Sequence, residues 1–502
     1  MAPLPTRPKR RIATERRTGP GLVSRRLRDA LVIGVLCAWL PFAAQGQNQL
    51  PDFGDAASAS LSPGQERELG ALLMRQIRAQ LPVIDDPEIE DYIQSLGFKL
   101  VSGGSQGSTD FHFFVLADPT VNAFAIPGGY IGIHSGLVTN TESESELASV
   151  VAHEIAHVTQ RHIARAIADA EGSQYATLAA VIAGLLIGTQ NSQAGQAAIA
   201  GATAASAQSQ INFTRTNEKE ADRVGIGMLA KAGYDPRAMP TFFEKLDLAS
   251  RYYSRPPEFL STHPVTTSRI SDSRGRAEQY PYKQYVDSVS YGLTRAKLGV
   301  LTTNDPTRLL AEYEANLKYN ETGDRSADLY GRALVLARLG KSERAKEELR
   351  KLISAHPERV RFRVALAKLE LGMGNTKQAL TIYEDAYGLF PDSKQLIRGF
   401  VDALLRDGQG AKALVILDDY ARVSLKDAAL YRLEAEAFRQ IGKVMSSRMA
   451  LAEHFYRNGE LDAAINQLRL ASNEPGEDFY QSSKLDARLK ELQSERDYLV
   501  RN

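Results

Sequence analysis

The chain has 502 residues, of which 43% are hydrophobic and 24% are charged, and it carries a formal net charge of +1 with one cysteine. This composition is globular, long enough for two or three domains, and it excludes a wholly disordered, a collagenous and a disulfide-stapled protein. Nucleic-acid binding is not expected, because residues 47–502 hold 52 basic and 58 acidic side chains, whereas a phosphate backbone requires a basic surface.

Residues 1–46 predict a signal peptide. A stretch with nine Lys or Arg precedes the apolar run 30–40, and small residues follow it at Ala43, Ala44 and Gly46. The run is shorter than the roughly 20 residues that span a bilayer, which favours cleavage after Ala44 or Gly46 over an uncleaved anchor. The single cysteine, Cys37, lies in this segment, so the exported chain needs no disulfide bond.

Residues 47–300 form the first predicted folded region, with mixed helix and strand patterns. Within it, residues 122–137 alternate like a strand, Gly128 and Gly129 predict a turn, and Tyr130–Ile133 predicts a second short strand. Two interpretations remain open. The segment is either an exposed edge strand that pairs with an extended peptide, or a plain hairpin inside the core.

The next predicted element is a buried helix that carries the chemistry. Thr141 and Glu144 have the spacing of a capping box, and apolar residues follow at helical spacing. His153 and His157 are four residues apart, so both imidazoles project from one face and can bind one Zn²⁺. Glu154 lies beside the first of them and can take a proton from a metal-activated water. The pattern predicts a zinc hydrolase.

A third ligand is expected from Asn217-Glu218-Lys-Glu220-Ala-Asp222, about 60 residues further on. Glu218 and Asp222 are again four apart, so one carboxylate can bind zinc while the other accepts an imidazole N–H. Glu220 points elsewhere on that helix and is expected to be solvated.

Between the two ligand-bearing helices, residues 172–214 form a run of 43 residues without a charged side chain. Its apolar part, 176–187, is too short to span a bilayer. We favour a mobile lid over the cleft, since the segment starts and ends near the metal. A hairpin that touches the membrane and a plain helical hairpin on the core are the alternatives.

The segment around His263 is a further candidate. Pro264 restrains the backbone, and His263 faces the metal in either of two roles: it stabilises the oxyanion, or it occupies the open metal position and keeps the enzyme at rest. Arg269 either stabilises negative charge or pairs with an acid. The other histidines are expected to be structural, with His162 turned off the metal face; they are His112, His134, His162, His356 and His454.

Residues 305–500 predict a second region made of helices only. Glycines recur at intervals of 34 residues at Gly340, Gly374, Gly408 and Gly442, and Ala345, Ala379 and Ala413 share the spacing. A period of 34 with Gly at the turn and small residues on both helices resembles the tetratricopeptide repeat. Gly459 follows Gly442 after only 17 residues, which indicates an extra helix or a divergent capping unit.

Four ordered motifs resemble the zinc metallopeptidases that include the Ste24-type prenyl protease. They are Asn122-Ala-Phe-Ala-Ile-Pro-Gly-Gly-Tyr-Ile131, His153-Glu-Ile-Ala-His157, Asn217-Glu-Lys-Glu-Ala-Asp222 and Ser261-Thr-His-Pro264. The resemblance implies one zinc ion on His153, His157 and Glu218, with Glu154 as general base, Asp222 behind the ligands, and Asn122 as a residue that binds substrate or stabilises charge. It implies a mainly α, zincin-like (gluzincin) domain with a small β-sheet, followed by an α-solenoid.

The subgroup with a signal peptide and C-terminal repeats implies a periplasmic endopeptidase that degrades misfolded or stalled outer-membrane proteins. Its repeats would bind the outer-membrane assembly machinery, and this setting implies a peripheral contact with the membrane. A second hypothesis makes the protein chiefly a chaperone or scaffold whose protease is normally latent. A zinc hydrolase of small amides is disfavoured, because such chemistry does not need the repeats.

Overall fold

The computed structural model describes residues 61–104, 109–169, 204–252, 257–319, 324–474 and 479–501, all of which belong to one compact unit. The predicted signal peptide 1–46 and residues 172–203 of the predicted lid lie outside the described residues. Within the described ranges, none of the helices is both long and apolar enough to cross a membrane.

The first half of the described chain combines helices with one small sheet. Its elements are α1 (Pro63–Gln80), α2 (Pro87–Gly103), β1 (His112–Leu116), β2 (Ala123–Ile126), β3 (Tyr130–His134), α3 (Ser135–Asn140), α4 (Glu144–Thr159), α5 (His162–Asp169), α6 (Ala204–Ala232), α7 (Ala238–Tyr252), α8 (Phe259–Thr262), α9 (Thr267–Ala277) and α10 (Val289–Thr302).

The sheet has the strand order β1-β3-β2, with β1 parallel and β2 antiparallel to β3. Gly128 and Gly129 have φ values of 78° and 83°, so the predicted turn between β2 and β3 needs residues that tolerate the left-handed region. The hairpin is therefore confirmed for residues 123–134, whereas residues 135–137, which were predicted to alternate like a strand, begin helix α3. Strand β2 forms an edge of the described sheet.

Side chains alternate across the sheet and build a core on each face. Phe113 and Val115 of β1 pack into the main core with α2, α4, α6 and α7, whereas Phe114 and Leu116 pack against α1. This period of two is what a strand buried on both faces requires. Helix α4 thus packs against the sheet and against α6.

Helix α4 begins later than predicted. Its N-cap is Ser143, whose Oγ accepts from the backbone N–H of Glu146, and not Thr141. Thr141 is buried, and its hydroxyl lies 3.0 Å from that of Tyr291 on α10. The tertiary contact with α10 removes Thr141 from the helix end, so the predicted capping box is wrong by two residues.

Helix α6 begins inside the segment that was predicted to be a lid. Residues 204–214 form its first turns and run without a break into the part that carries Glu218. This portion of the uncharged segment is thus part of the ligand-bearing helix.

The second half consists of helices only. They are α11 (Pro306–Tyr319), α12 (Ser326–Arg338), α13 (Ser342–Ala355), α14 (Val360–Gly372), α15 (Thr376–Tyr387), α16 (Lys394–Arg406), α17 (Gly410–Ala421), α18 (Ala428–Gln440), α19 (Val444–Arg457), α20 (Leu461–Ser472) and α21 (Phe479–Arg501).

The glycines of the predicted repeat lie between paired helices, with φ values from 74° to 83°. The alanines that share their spacing, Ala345, Ala379 and Ala413, are fully buried where the helices approach. Gly459 likewise follows the end of α19 with a positive φ. The short interval of 17 residues therefore corresponds to one additional helix, α20. The mainly helical fold with a small sheet and stacked repeats is confirmed.

Helix α10 lies across the predicted boundary between the two regions. The position of that boundary stays a prediction. The helix packs on α2 and α3 as well as on α12. Lys297 of α10 lies 2.8 Å from Asp86 and 2.7 Å from Glu88, and Arg361 of the repeats lies 3.2 Å from Glu88. Arg398 pairs with Asp85 at 2.9 Å. The acidic start of α2 thus anchors the repeats.

Candidate metal centre

Helix α4 presents two imidazoles to the same point in the interior. The Nε2 atoms of His153 and His157 lie 3.0 Å apart. The side chain of His153 is 1% exposed and that of His157 is 11% exposed. The four-residue spacing on one helix places them side by side, as the sequence predicts.

Helix α6 adds a carboxylate to this pair. The carboxylate oxygens of Glu218 lie 3.3 Å from the Nε2 atoms of both His153 and His157. One turn further along α6, Oδ1 of Asp222 lies 3.0 Å from Nδ1 of His153. His153 therefore has one nitrogen toward Glu218 and the other toward Asp222.

His263 joins the same group from the loop between α8 and α9. Its Nδ1 lies 3.0 Å from Oε1 of Glu218 and 3.4 Å from Nε2 of His153. Ligand-type atoms of these residues and of His157 all lie within 4.8 Å of one another. His263 therefore lies among the possible ligands, as the second of its two predicted roles requires.

Arg269 of α9 is buried against the carboxylates. It donates from Nε and Nη2 to Asp222 at 2.8 and 2.7 Å, and its Nη1 lies 2.7 Å from Glu218. Its side chain is 2% exposed. Of the two roles considered, the structure favours pairing with acids, because the guanidinium is fully engaged by them.

The donor set is of the kind that binds zinc. Ligand atoms about 2.0–2.1 Å from a tetrahedral zinc ion lie about 3.3 Å from one another. Five contacts among the four residues run from 3.0 to 3.4 Å, and all of their ligand atoms lie within 4.8 Å. In addition, Oε1 of Glu154, beside this group, is buried without a hydrogen-bond partner among the described residues. A buried oxygen in that condition indicates a missing partner.

The electrostatics of the group favour a cation. Burial opposes charge on His153, but the carboxylates of Asp222 and Glu218 outweigh it and raise its pKa to about 9. Burial lowers the pKa of His157 to about 3 and raises the pKa of Glu154. Burial would also raise the pKa of Glu218, but the surrounding imidazoles hold it well below its usual value. The site therefore keeps a negative carboxylate that binds positive charge.

Glu154 lies beside this group but is not part of it. Its side chain is 1% exposed, and its Oε1 lies 3.4 Å from Nε2 of His263. The backbone N–H of Ala125 on β2 lies near this carboxylate and partly offsets the rise of its pKa by burial. The carboxylate thus lies between the four-atom group and the edge strand.

Asn122 is the predicted site residue that the structure does not connect to the group. It is buried just before β2, and its Oδ1 has no hydrogen-bond partner among the described residues. Its backbone oxygen accepts from the N–H of His134 on β3. A role for Asn122 in substrate binding stays a prediction.

Two contacts near the group were not predicted. His162 lies outside the converging ligand atoms, as expected, but its Nδ1 lies 2.9 Å from Nδ1 of His157. Glu220 was expected to be solvated, but it pairs with Arg165 at 3.0 Å and lies 3.3 Å from His162. The spacing gave no signal for either contact, because the helix breaks at Arg161 without a glycine or proline.

Comparisons with known proteins agree with this architecture. Residues 87–277, which run from the start of α2 to the end of α9, match Peptidase family M48. Residues 329–359 and 370–437 match the Tetratricopeptide repeat. All four residues with converging ligand atoms lie in the first of these ranges.

Similar proteins carry the same combination. The chain is 36% identical to the Beta-barrel assembly-enhancing protease of Escherichia coli strain K12, over 90% of this chain and 93% of that protein. The protein of the same name from Yersinia pestis is 35% identical, over 85% of this chain and 88% of that protein. The Mitochondrial metalloendopeptidase OMA1 of Schizosaccharomyces pombe is 34% identical over 34% of this chain and 47% of that protein.

Proposed function

Because this chain belongs to peptidase family M48 and is a metalloendopeptidase with tetratricopeptide repeats, we propose that it uses one zinc ion held by His153, His157 and Glu218, with Glu154 as general base. The observation that carries this proposal is the buried group of converging nitrogen and oxygen atoms. Two imidazoles and a carboxylate are a common ligand set of catalytic zinc.

The residues around the proposed zinc ion have roles in peptide hydrolysis. A zinc ion held by these residues would polarise a water molecule and the carbonyl of the scissile peptide bond. Glu154 has an unpartnered oxygen, and burial raises its pKa, so it is suited to take the proton of the attacking water and pass it to the leaving amine. Oδ1 of Asp222, 3.0 Å from Nδ1 of His153, is close enough to take the proton of that nitrogen, which would leave Nε2 for the metal.

The edge strand β2 supports a peptide substrate. Asn122 and Phe124 pair with β3, so in an antiparallel ladder the N–H and C=O of Ala123 and Ala125 point outward. The outward N–H of Ala125 is near enough to Glu154 to lower its pKa, which supports an edge that lies beside the proposed base. An extended peptide that pairs with β2 would need little sequence specificity, but it would have to be unfolded.

We further propose that the protein works in the periplasm on misfolded or stalled outer-membrane proteins, with the assembly machinery bound by the repeats. The names of the similar proteins from Escherichia coli and Yersinia pestis support this setting. The predicted signal peptide supports it independently, and contact with a membrane surface is compatible with such substrates.

Zinc analysis and proteolysis of an unfolded substrate test the proposal. The purified mature chain should contain one zinc per chain and cleave casein, and a chelator should stop the cleavage. Glu154→Gln should keep the zinc but lose the cleavage, because it removes only the proton acceptor. A folded wild-type chain that is free of metal and indifferent to chelators would refute the proposal.

A second candidate function is a binding module with a latent protease, and the position of His263 favours it. His263 Nδ1 is a possible fourth ligand, and a metal with four protein ligands has no open position. The same segment also contacts the residues just before β2, because the N–H of Phe259 donates to the carbonyl of Val121 at 3.2 Å. This arrangement suits a resting state.

Substitution of His263 separates its two possible roles. His263→Ala should raise casein cleavage if the imidazole blocks the metal, and should lower it if the imidazole stabilises the oxyanion. An unchanged rate argues against both. Separately, if Glu154→Gln still supports envelope function while degradation is lost, the binding activity is independent of proteolysis.

A further inference from the structure

His162 contacts the edge of the His157 ring that faces away from the proposed metal. Nε2 of His157 lies among the converging ligand atoms, 3.3 Å from Glu218, while its Nδ1 lies 2.9 Å from Nδ1 of His162. The imidazole of His162 is 4% exposed. Both nitrogens of His157 are therefore engaged, one toward the metal position and one toward His162.

A break in the helix makes this contact possible. In an uninterrupted α-helix, a residue five positions further on is rotated by about 140° around the axis. Here α4 ends at Thr159 and α5 begins at His162, while Arg161 between them has a φ of 52°. A side chain other than glycine adopts this conformation only where its surroundings hold it.

The surroundings that hold Arg161 come from the segment at the start of α1. Its Nη2 donates to the carbonyl of Leu61 at 2.6 Å and to the carboxylate of Glu66 at 3.0 Å. The strained backbone at Arg161 is thus held by residues outside the helix. This change of chain direction brings His162 into contact with His157.

The contacts continue from His162 to helix α6. Its Nε2 lies 3.3 Å from the carboxylate of Glu220. Arg165 donates to the same carboxylate from Nη1 and Nη2 at 3.0 and 3.1 Å, and from Nη2 to Oδ1 of Asn217 at 3.1 Å. Glu220 is therefore held in place by an arginine on the same side as His162.

Only one placement of protons satisfies this chain of contacts when Nε2 of His157 offers its lone pair to a metal. The proton of His157 is then on Nδ1, where it can be donated to Nδ1 of His162. His162 in turn has its proton on Nε2, directed at Glu220. A metal-bound imidazole whose other N–H is held in this way has a fixed tautomer and a fixed ring orientation.

We propose that His162 and Glu220 are positioning residues for the metal ligand His157, as Asp222 is for His153. The proposal rests on the zinc site proposed above. His162 lies outside the group of converging ligand atoms and acts through His157. Each histidine ligand on α4 thus has a side chain at its Nδ1: Asp222 for His153 and His162 for His157.

Zinc affinity of the full mature chain, measured by competition with a chromophoric chelator, tests the proposal. His162→Phe keeps a planar ring but removes the acceptor, and it should weaken zinc binding about 10–100-fold. Glu220→Gln should weaken it in the same direction by a smaller factor. His162→Gln, which can accept from His157 and donate to Glu220, should bind zinc more tightly than His162→Phe.

A spectrum and a matched control separate orientation of the ligand from general damage. The visible spectrum of the Co²⁺-loaded chain should change in His162→Phe, because the geometry at His157 is altered. His112→Phe is the control. This exposed histidine stacks on Tyr130 at 4.6 Å and is not in the group, so the same substitution there should leave affinity and spectrum unchanged.

The outcomes distinguish this inference from the proposed function. A wild-type chain that binds no zinc refutes the metal site itself. A wild-type chain that binds zinc, together with a folded His162→Phe variant of equal affinity and spectrum, overturns only the role of His162. If His162→Phe does not fold by circular dichroism, Glu220→Gln decides, and an unchanged affinity there overturns the proposal.

Discussion

Replacing Arg269 by methionine should destabilise the metal-free protein strongly. The guanidinium is 2% exposed and lies within 2.8 Å of carboxylate oxygens of Asp222 and Glu218. Methionine fills similar space without charge, so it leaves two buried carboxylates without their counter-ion. Removing one partner of a buried ion pair typically costs about 3–5 kcal/mol in the free energy of unfolding.

The expected fall in melting temperature follows from the size of the unit that unfolds. Unfolding entropy is about 2.1 cal/mol/K per residue, so a loss of about 4 kcal/mol lowers the Tm by about 10 °C if about 190 residues melt alone, and by about 4 °C if about 450 residues melt together. Differential scanning calorimetry of the full mature chain in a chelator measures this shift and identifies the unit.

Arg276→Met is the matched control for this measurement. It changes the same residue type on the same helix, but Arg276 pairs with Asp272 at the surface, where both side chains are 39% exposed. Such pairs contribute about 0–1 kcal/mol. If Arg269→Met lowers the Tm no more than Arg276→Met does, the reasoning from buried charge is wrong, and Arg269 is free to serve the reaction instead.

Three further predictions address the metal, the repeats and pH. Asp222→Asn should weaken zinc binding about 10–100-fold by chelator competition, because His153 loses the carboxylate that orients it. Gly408→Ala should lower the free energy of unfolding by about 1–2 kcal/mol, because its φ is 76°, whereas Gly372→Ala has open space and an ordinary helical φ and should not destabilise. In the metal-free chain, the pKa of His153 is raised from 6.5 to about 9, so its contribution to stability is complete below pH 6.5 and is lost as the pH rises to about 9. Urea unfolding across that range should show the decline, and His153→Gln should reduce it.

Much of the proposed site could be predicted because it depends on spacing within single helices. His153 and His157 on α4, and Glu218 and Asp222 on α6, meet as expected, since residues four apart share a face wherever the helix lies. The repeat glycines follow the same logic, because a positive φ at a turn restricts the residue type at each recurrence. Such features are local and can be read without knowing what packs against them.

Other features depended on contacts between distant segments. Thr141 lost its capping role to Tyr291, about 150 positions away, and Arg269 had two open roles until Asp222 and Glu218 were seen around it. The contact of His162 with His157 was not predicted, because the rotation of 100° per residue assumes an unbroken helix, which Arg161 interrupts.

The sequence by itself determined the ligand-bearing helices, the repeat period and the general base candidate, because each is a periodic pattern along one element. Only the tertiary structure decided that His263 lies among the ligands, that Arg269 neutralises buried acids, and that His162 contacts His157 from behind. His263 and Arg269 are far along the chain from the residues that they contact. His162 is close to His157 in sequence, but only the strained backbone between them brings the two rings together. Their geometry is set by how the elements pack, and no spacing rule encodes it.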